Sequence, residues 1–383
     1  MKQLLTKGVF ILCLSLIFAA CGNDEPKTEP SGIDATKTAI LKQYVNGVVV
    51  PTYKSLADEA LKLSATCSSL KQNPSQELVN QACADWIAAR KYWEQSEAFL
   101  YGAAADYYID PHIDSWPLKK DLLDNTLRNE ALMAELDENG AAADGFSSLG
   151  YGLMGFHAVE YVIFREGKPR NIADISTAEL IYVTAVAQDL ANQTVRLEAA
   201  WAGINNVSTA KQNILEEFEL EPSINYGQLM IDAGLQGNSI YKTQLDAIVQ
   251  ILQGASDIAD EVGNTKITDP CTSGNVLDVE SWYSWNSIAD FADNIRSVRN
   301  AYFGSVNGSV NNNSLAAYAG KNYPNLDSEV RAKIDNAILK IEDPVQGMPA
   351  PFRNHLTFAE NQGAIDACNE LMDAIDDLIE VIQ

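Results

Sequence analysis

Apolar positions recur at three- and four-residue spacing through most of the chain, the period of amphipathic α-helices, and the strict alternation of a strand is scarce. The pattern predicts a helix over 34–71 with an interruption at Gly47–Pro51. A second helix, 76–102, has Trp86, Tyr92, Trp93 and Phe99 among its apolar residues. Residues 107–116 read as a loop rich in Asp, and short helical pieces run from Pro117 until Asn139-Gly140 stops them. Further helices are predicted over 149–164, apolar on nearly every face, and over 176–201, long and amphipathic. The stretch 213–262 is helical with breaks at Pro222, Gly234 and Gly237, and helices over 280–303, 326–341 and 356–382 complete the set. Helices of this length with short connections imply an all-α fold of antiparallel bundles. The helix 76–102 ends Phe-Leu-Tyr-Gly and the helix 280–304 ends Ala-Tyr-Phe-Gly, which suggests an internal repeat of two related bundles, 34–170 and 171–383.

The first residues follow a different pattern. Lys2 and Lys7 precede an apolar run from Gly8 to Phe18, closed by Ala19-Ala20-Cys21. The run is too short for a permanent membrane span and reads as a secretory signal over 1–20. Small residues directly before a cysteine resemble a bacterial lipobox, so cleavage before Cys21 and lipidation of its thiol are expected. Residues 21–33, polar and Pro-containing, then read as a flexible tether. The expected setting is the bacterial cell envelope, with a soluble body hung from a membrane by acyl chains and facing either the periplasm or the cell exterior.

Charge narrows the function. The 383 residues include 27 Lys and Arg against 52 Asp and Glu, a formal net charge of −25. General nucleic-acid binding is excluded, because nothing neutralises phosphates, whereas a cation ligand is favoured. There are three histidines, His112, His157 and His355, so a three-His zinc site would consume them all. Beyond Cys13 and Cys21 four cysteines remain. Cys67 and Cys83 lie symmetrically about the turn at Pro74-Ser75, which predicts a disulfide between adjacent helices; a Cys271–Cys368 pair follows by elimination.

Four constellations could hold chemistry. In the apolar helix 149–164, His157 and Glu160 are the ionisable groups besides tyrosine, three apart on one face. Burial there demands partners or a metal. Gly152 and Gly155 would let a backbone or ligand come close. The alternative is a His–Glu pair satisfying itself and a neighbouring helix. Asp110-Pro111-His112-Ile113-Asp114-Ser115-Trp116-Pro117 is good material for a cation site, although on its own turn and capping chemistry explains it better. Glu97, four after Trp93, faces the aromatic side of its helix. Asp290 and Asn294 lie four apart and face the same way on a later aromatic helix that also carries Ser284. For both of these, packing polarity is the better reading in isolation.

Taken together, the pieces resemble the imelysin-like superfamily. Gly155-Phe156-His157-Ala158-Val159-Glu160 matches its G-x-H-x-x-E motif. Trp93 to Gly102 resembles its W-x-x-x-E-x-F…G helix, and Ile113-Asp114-Ser115-Trp116-Pro117 its I-D-x-W-P loop, with His112 where many members have Arg. Ser284 to Gly304 resembles its late S-x-N…D…N…Y-x-G helix. The resemblance implies two similar four-helix bundles packed side by side with the motif residues where they meet. It also implies an exported protein, often lipid-anchored, associated with bacterial iron uptake and with iron-transport components as possible partners. On this basis His157 and Glu160 are expected as direct ligands of iron, ahead of zinc, with Glu97 and Asp114 completing the shell. Trp116, His112, Asp110, Ser284, Asp290 and Asn294 would shape the site. Iron arriving bare, chelated or as haem with His157 axial stays open. Two other readings stand beside this one: a metallopeptidase using His157 and Glu160, and a non-catalytic binder of a peptide or small organic ligand.

Overall fold

Helix ends lie where side chains can satisfy the backbone. In the structure, a computed structural model describing residues 33–383, Asp34 caps α1 (Ala35–Tyr44) by accepting from Thr36 N and Lys37 N. The signal, Cys21 and all but the end of the tether lie outside the described residues. The helix expected to break at Gly47–Pro51 instead runs on. A wide π-helical turn over Val45–Val49 leads into α2 (Val50–Gln72), and this turn takes up Pro51, which has no N–H to give the preceding turn. Ser75 Oγ then accepts from Leu78 N and opens α3 (Gln76–Glu94).

The apolar segment 149–164 is helical only as α4 (Gly155–Ile163), preceded by a 3-10 turn at Tyr151–Leu153. A capping box of Ser176 and Glu179 starts α5 (Thr177–Ala202), and one of Thr243 and Asp246 starts α6 (Gln244–Glu261). A second π-helical turn, Val262–Ile267, extends α6. The helix expected from 280 begins later, as α7 (Ser287–Phe303), because Ser281 and Trp285 adopt positive φ of 53° and 63° and hold the preceding segment irregular. The last long helices are α8 (Pro324–Glu342) and α9 (Phe358–Ile382). A two-residue hairpin, Phe164–Arg165 with Lys168–Pro169, is the sheet among the described residues. The fold is all-α.

Helices α2, α3, α4 and α5 pack on one another, as do α6, α7, α8 and α9. The boundary at 170/171 places α5 in the second unit, yet α5 lies against α2 and α4. Helix α7 crosses α3, and α6 rests on the 3-10 turn Glu97–Phe99, so one apolar core runs through both groups. Trp86, fully buried on α3, fastens α4: its Nε1 donates to Phe156 O at 2.9 Å, and its ring meets Phe156 and Phe164 edge-on. Such aromatic pairs add about 0.5–1.5 kcal/mol each beyond area burial.

The expected disulfides are not formed. Cys67, Cys83, Cys271 and Cys368 are free thiols. The α2–α3 hairpin exists as expected, but Cys83 Sγ donates to Ile163 O at 3.5 Å, toward α4 rather than toward Cys67. Cys271 accepts from Asn361 Nδ2 at 3.5 Å, whereas Cys368 is buried in the core. Among the described residues, no helix is long and apolar enough to cross a membrane.

Candidate metal centre

Gly155 brings the site together. It opens α4 at φ +72°, and a Cβ placed there would lie 2.0 Å from Ile113 O. The start of α4 therefore touches the backbone of the Ile109–Ile113 turn, which only glycine permits. The next loop residue, Asp114, then reaches His157 one half-turn along α4. Asp114 Oδ1 lies 3.1 Å from His157 Nε2. The approach is close but not aligned as a hydrogen bond, and the buried Nε2 has no hydrogen-bond partner.

The other ring nitrogen is fixed from behind. His157 Nδ1 sits 3.2 Å from Glu160 Oε2, and Glu160 Oε1 accepts from both the backbone N and Oγ of Ser284, each at 2.7 Å. Both His157 and Glu160 are fully buried. Trp116 lays its indole beside the imidazole, centroids 4.6 Å apart, and donates its Nε1 to Asp278 O.

Glu280, from the irregular segment before α7, completes the group. Asp114, His157 and Glu280 each offer a ligand atom within 4.8 Å of the others, and Glu94, Glu97 and Asp114 form a second such set. Two fixed cations stand among them. Arg90, fully buried on α3, pairs with Asp114, with Glu94 and Glu280 at 2.5 Å each, and with Asp290 at 3.8 Å. Lys266, delivered by the second π turn, lies 3.1 Å from Glu280, 3.8 Å from Glu94 and 4.0 Å from Glu97. Trp93 Nε1 donates to Asp114 Oδ2 at 2.6 Å, and Asn294 Nδ2 donates to Glu94.

Carboxylates outnumber cations here, and the excess shows in their protonation. Burial pushes Glu94 and Glu97 well above the carboxylate range, with Arg90 and Lys266 only partly offsetting it. Burial likewise lifts Asp290 to about 7 and Asp110 to about 6. Asp114 goes the other way: against burial, Arg90 and His157 hold it well below its usual value. Burial would lower His157, but the carboxylates of Asp114 and Glu160 override it and hold the ring up at about 9. A cavity of about 740 Å³ opens onto this cluster, lined by Glu97, Asp110, Asp114, Trp116, Lys266 and Glu280 among others.

Most of the expected site residues meet here. Glu97, Asp110, Asp114 and Trp116 line the cavity, and His157 touches Asp114 and Trp116. Glu160, Ser284, Asp290 and Asn294 lie behind, Glu160 on His157, Ser284 on Glu160, Asp290 on Arg90 and Asn294 on Glu94. His112 does not: its Nε2 pairs with Asp189 at 2.7 Å and its ring stacks on Tyr151. Sequence reasoning missed Arg90, Lys266 and Glu280, and of the i, i+3 pair Glu94 and Glu97 it carried only Glu97 to the site. Arg90 had a signal, since it falls four before Glu94 and four after Trp86 on an aromatic helix face. Glu280 and Lys266 sit in irregular or π-helical turns, where no periodicity marks them.

Residues 49–381 match the family model of imelysin, peptidase M75. The chain belongs to the imelysin family. An iron-regulated protein A from Synechococcus elongatus is 24% identical over 96% of this chain and 89% of its own. The crystal structure of an iron-regulated protein A precursor from Parabacteroides distasonis, 29% identical, superposes with a TM-score of 0.78 over 93% of this chain and 97% of that one. An imelysin-like protein from Psychrobacter arcticum, 14% identical, shares the fold with a TM-score of 0.64 over 89% of this chain and 93% of its own.

Proposed function

We propose that this imelysin-family protein binds an iron ion at the floor of the cavity, through His157 Nε2, Asp114 and Glu280. The observation that carries the reading is the buried Nε2 of His157, which has no aligned partner and faces two carboxylates within ligand reach. A His and carboxylate set suits iron. Glu160 then acts from behind, orienting the ring through Nδ1, as carboxylates do for metal-bound histidines. The protons held on Glu94, Glu97 and Asp290 give the cluster room to take up positive charge by exchanging them. A bare or lightly chelated ion suits the geometry better than haem. Asp114 at 3.1 Å and the Trp116 indole flank the imidazole where a macrocycle would have to lie.

The peptidase reading has less support. Its general base would be Glu160, and that carboxylate is turned to the Nδ1 side and held by Ser284. On this account the protein is exported and tethered through a lipidated Cys21, presenting iron to transport components of the cell envelope. Titration of the metal-stripped body with ferrous and ferric iron tests the metal claim. One ion per chain is expected, lost in His157→Ala and weakened in Glu280→Gln with helicity unchanged. No iron uptake by the wild type would overturn the reading.

A further inference from the structure

A second cleft, of about 650 Å³, lies between α2, α3, α7 and the loop that follows Gly304. Its chemistry is the reverse of the first. The two clefts share the α3–α7 crossing. Glu94 and Asn294 face the carboxylate cluster, while their neighbours Gln95 and Asp293 line the second cleft. Lys91, Arg296 and Arg299 line it too, with Asp293 as the acidic residue among them. In a chain with 52 acidic residues and a net charge of −25, a cation-rich cleft is unexpected.

Arg296 is satisfied, paired with Asp293 at 3.0 Å and with Glu342. Asp293 is held further by Gln95 Nε2 at 2.8 Å. The side chains of Arg299 and Lys91 make no ion pair or hydrogen bond among the described residues, Lys91 Nζ lying 5.9 Å from the Tyr92 ring centroid, and Arg299 Nε is buried without a partner. Its guanidinium is covered by Gly308, at φ +78°, where an added Cβ would come to 3.4 Å of Cζ. Burial, then the nearby Arg296, pull Arg299 below its ordinary value, and the carboxylates of Asp335, Asp293 and Glu342 only partly offset them.

A half-buried guanidinium left unpaired opposes folding unless something offsets it. Its planar fork matches the two oxygens of a carboxylate or phosphate. We propose that this cleft binds a small organic oxyanion, paired with Arg299 and Lys91, with Gln95, Asn286 and Asn307 as further polar contacts. The cleft lies within the size range of small-molecule sites, roughly 300–1,000 Å³, and exceeds what a lone phosphate fills. The shared chemistry is a multiply charged carboxylate or phosphate.

The test is calorimetric titration of the metal-stripped body with citrate and, separately, with inorganic phosphate. Arg299→Gln and Lys91→Met are run beside the wild type, and circular dichroism checks the fold. Saturable binding of at least one anion is expected, weakened tenfold or more in Arg299→Gln and less in Lys91→Met. The anion should raise the melting temperature of the wild type and not of Arg299→Gln. Iron titration of Arg299→Gln should match the wild type, because the residue lies outside the metal cluster. Citrate binding alone would assign the site to polycarboxylates, and binding of both would assign it to oxyanions generally. No saturation by either anion up to about 10 mM, or equal binding by Arg299→Gln, would overturn the proposal.

Discussion

His157 Nε2 stands 3.1 Å from Asp114 Oδ1 while its Nδ1 stands 3.2 Å from Glu160 Oε2, so one imidazole is gripped between two carboxylates of different duty. Asp114 faces the cavity and Glu160 faces Ser284. One nitrogen is thereby directed at the carboxylate cluster, and the other is fixed.

Glu160 should therefore act by positioning. Glu160→Gln keeps the shape but weakens the hold on Nδ1, and Ser284→Ala removes one of the two donors to Glu160. Loss of such outer contacts typically lowers metal affinity by about 10–100-fold. Both variants should retain one site with weakened affinity in an iron titration, whereas His157→Ala should abolish it. Complete loss in Ser284→Ala with the fold intact would contradict this division of roles.

Binding should be linked to protons. With its pKa held up at about 9, His157 is protonated in the empty cleft at neutral pH. A metal on Nε2 must displace that proton, so affinity should rise with pH by on the order of tenfold per unit up to about 9. Stability of the empty protein should show the opposite trend. The folded pKa lies above the ordinary value of about 6.5, so the stabilisation is complete below that value and is lost as pH rises through about 9. Paired iron titrations and denaturant melts between those limits check both slopes.

Arg90 is the central counter-charge of the cluster. Removing it leaves Asp114, Glu94, Glu280 and Asp290 buried without it. Breaking a buried pair from one side costs about 3–5 kcal/mol, so Arg90→Met should lower stability by that order in urea unfolding. A change under about 1 kcal/mol would mean the cluster tolerates the loss by protonation alone.

Gly155 cannot be replaced without moving the loop. A Cβ at 2.0 Å from Ile113 O pushes the turn away, and a φ of +72° strains any other residue. Gly155→Ala should destabilise by about 1–3 kcal/mol and weaken iron binding, because Asp114 follows Ile113 directly. Normal affinity in a well-folded Gly155→Ala would show that the loop is not set by this contact.

Much of this was legible in the residues. Helical periodicity located the long helices, since their apolar stripes face a common core, and the charged pair in the apolar segment 149–164 lies in the buried cluster that Asp114 joins. The boundaries failed where the backbone departs from the α period. Pro51 is absorbed by a π turn, and Ser281 and Trp285 at positive φ delay α7 past Glu280. Lys266 and Glu280 were missed for the same reason: an irregular backbone aims side chains that no repeat predicts. The cysteines misled because equal distance from a turn fixes neighbourhood but not direction, and the Cys83 thiol points to α4.

The most direct test of the account is anomalous diffraction at the iron edge from crystals of the iron-loaded body. The account predicts one peak per chain bonded to His157 Nε2, with Asp114 and Glu280 oxygens as co-ligands and Glu160 remaining on Nδ1. A peak bonded elsewhere, or crystals loaded with stoichiometric iron and showing none at His157, would contradict it.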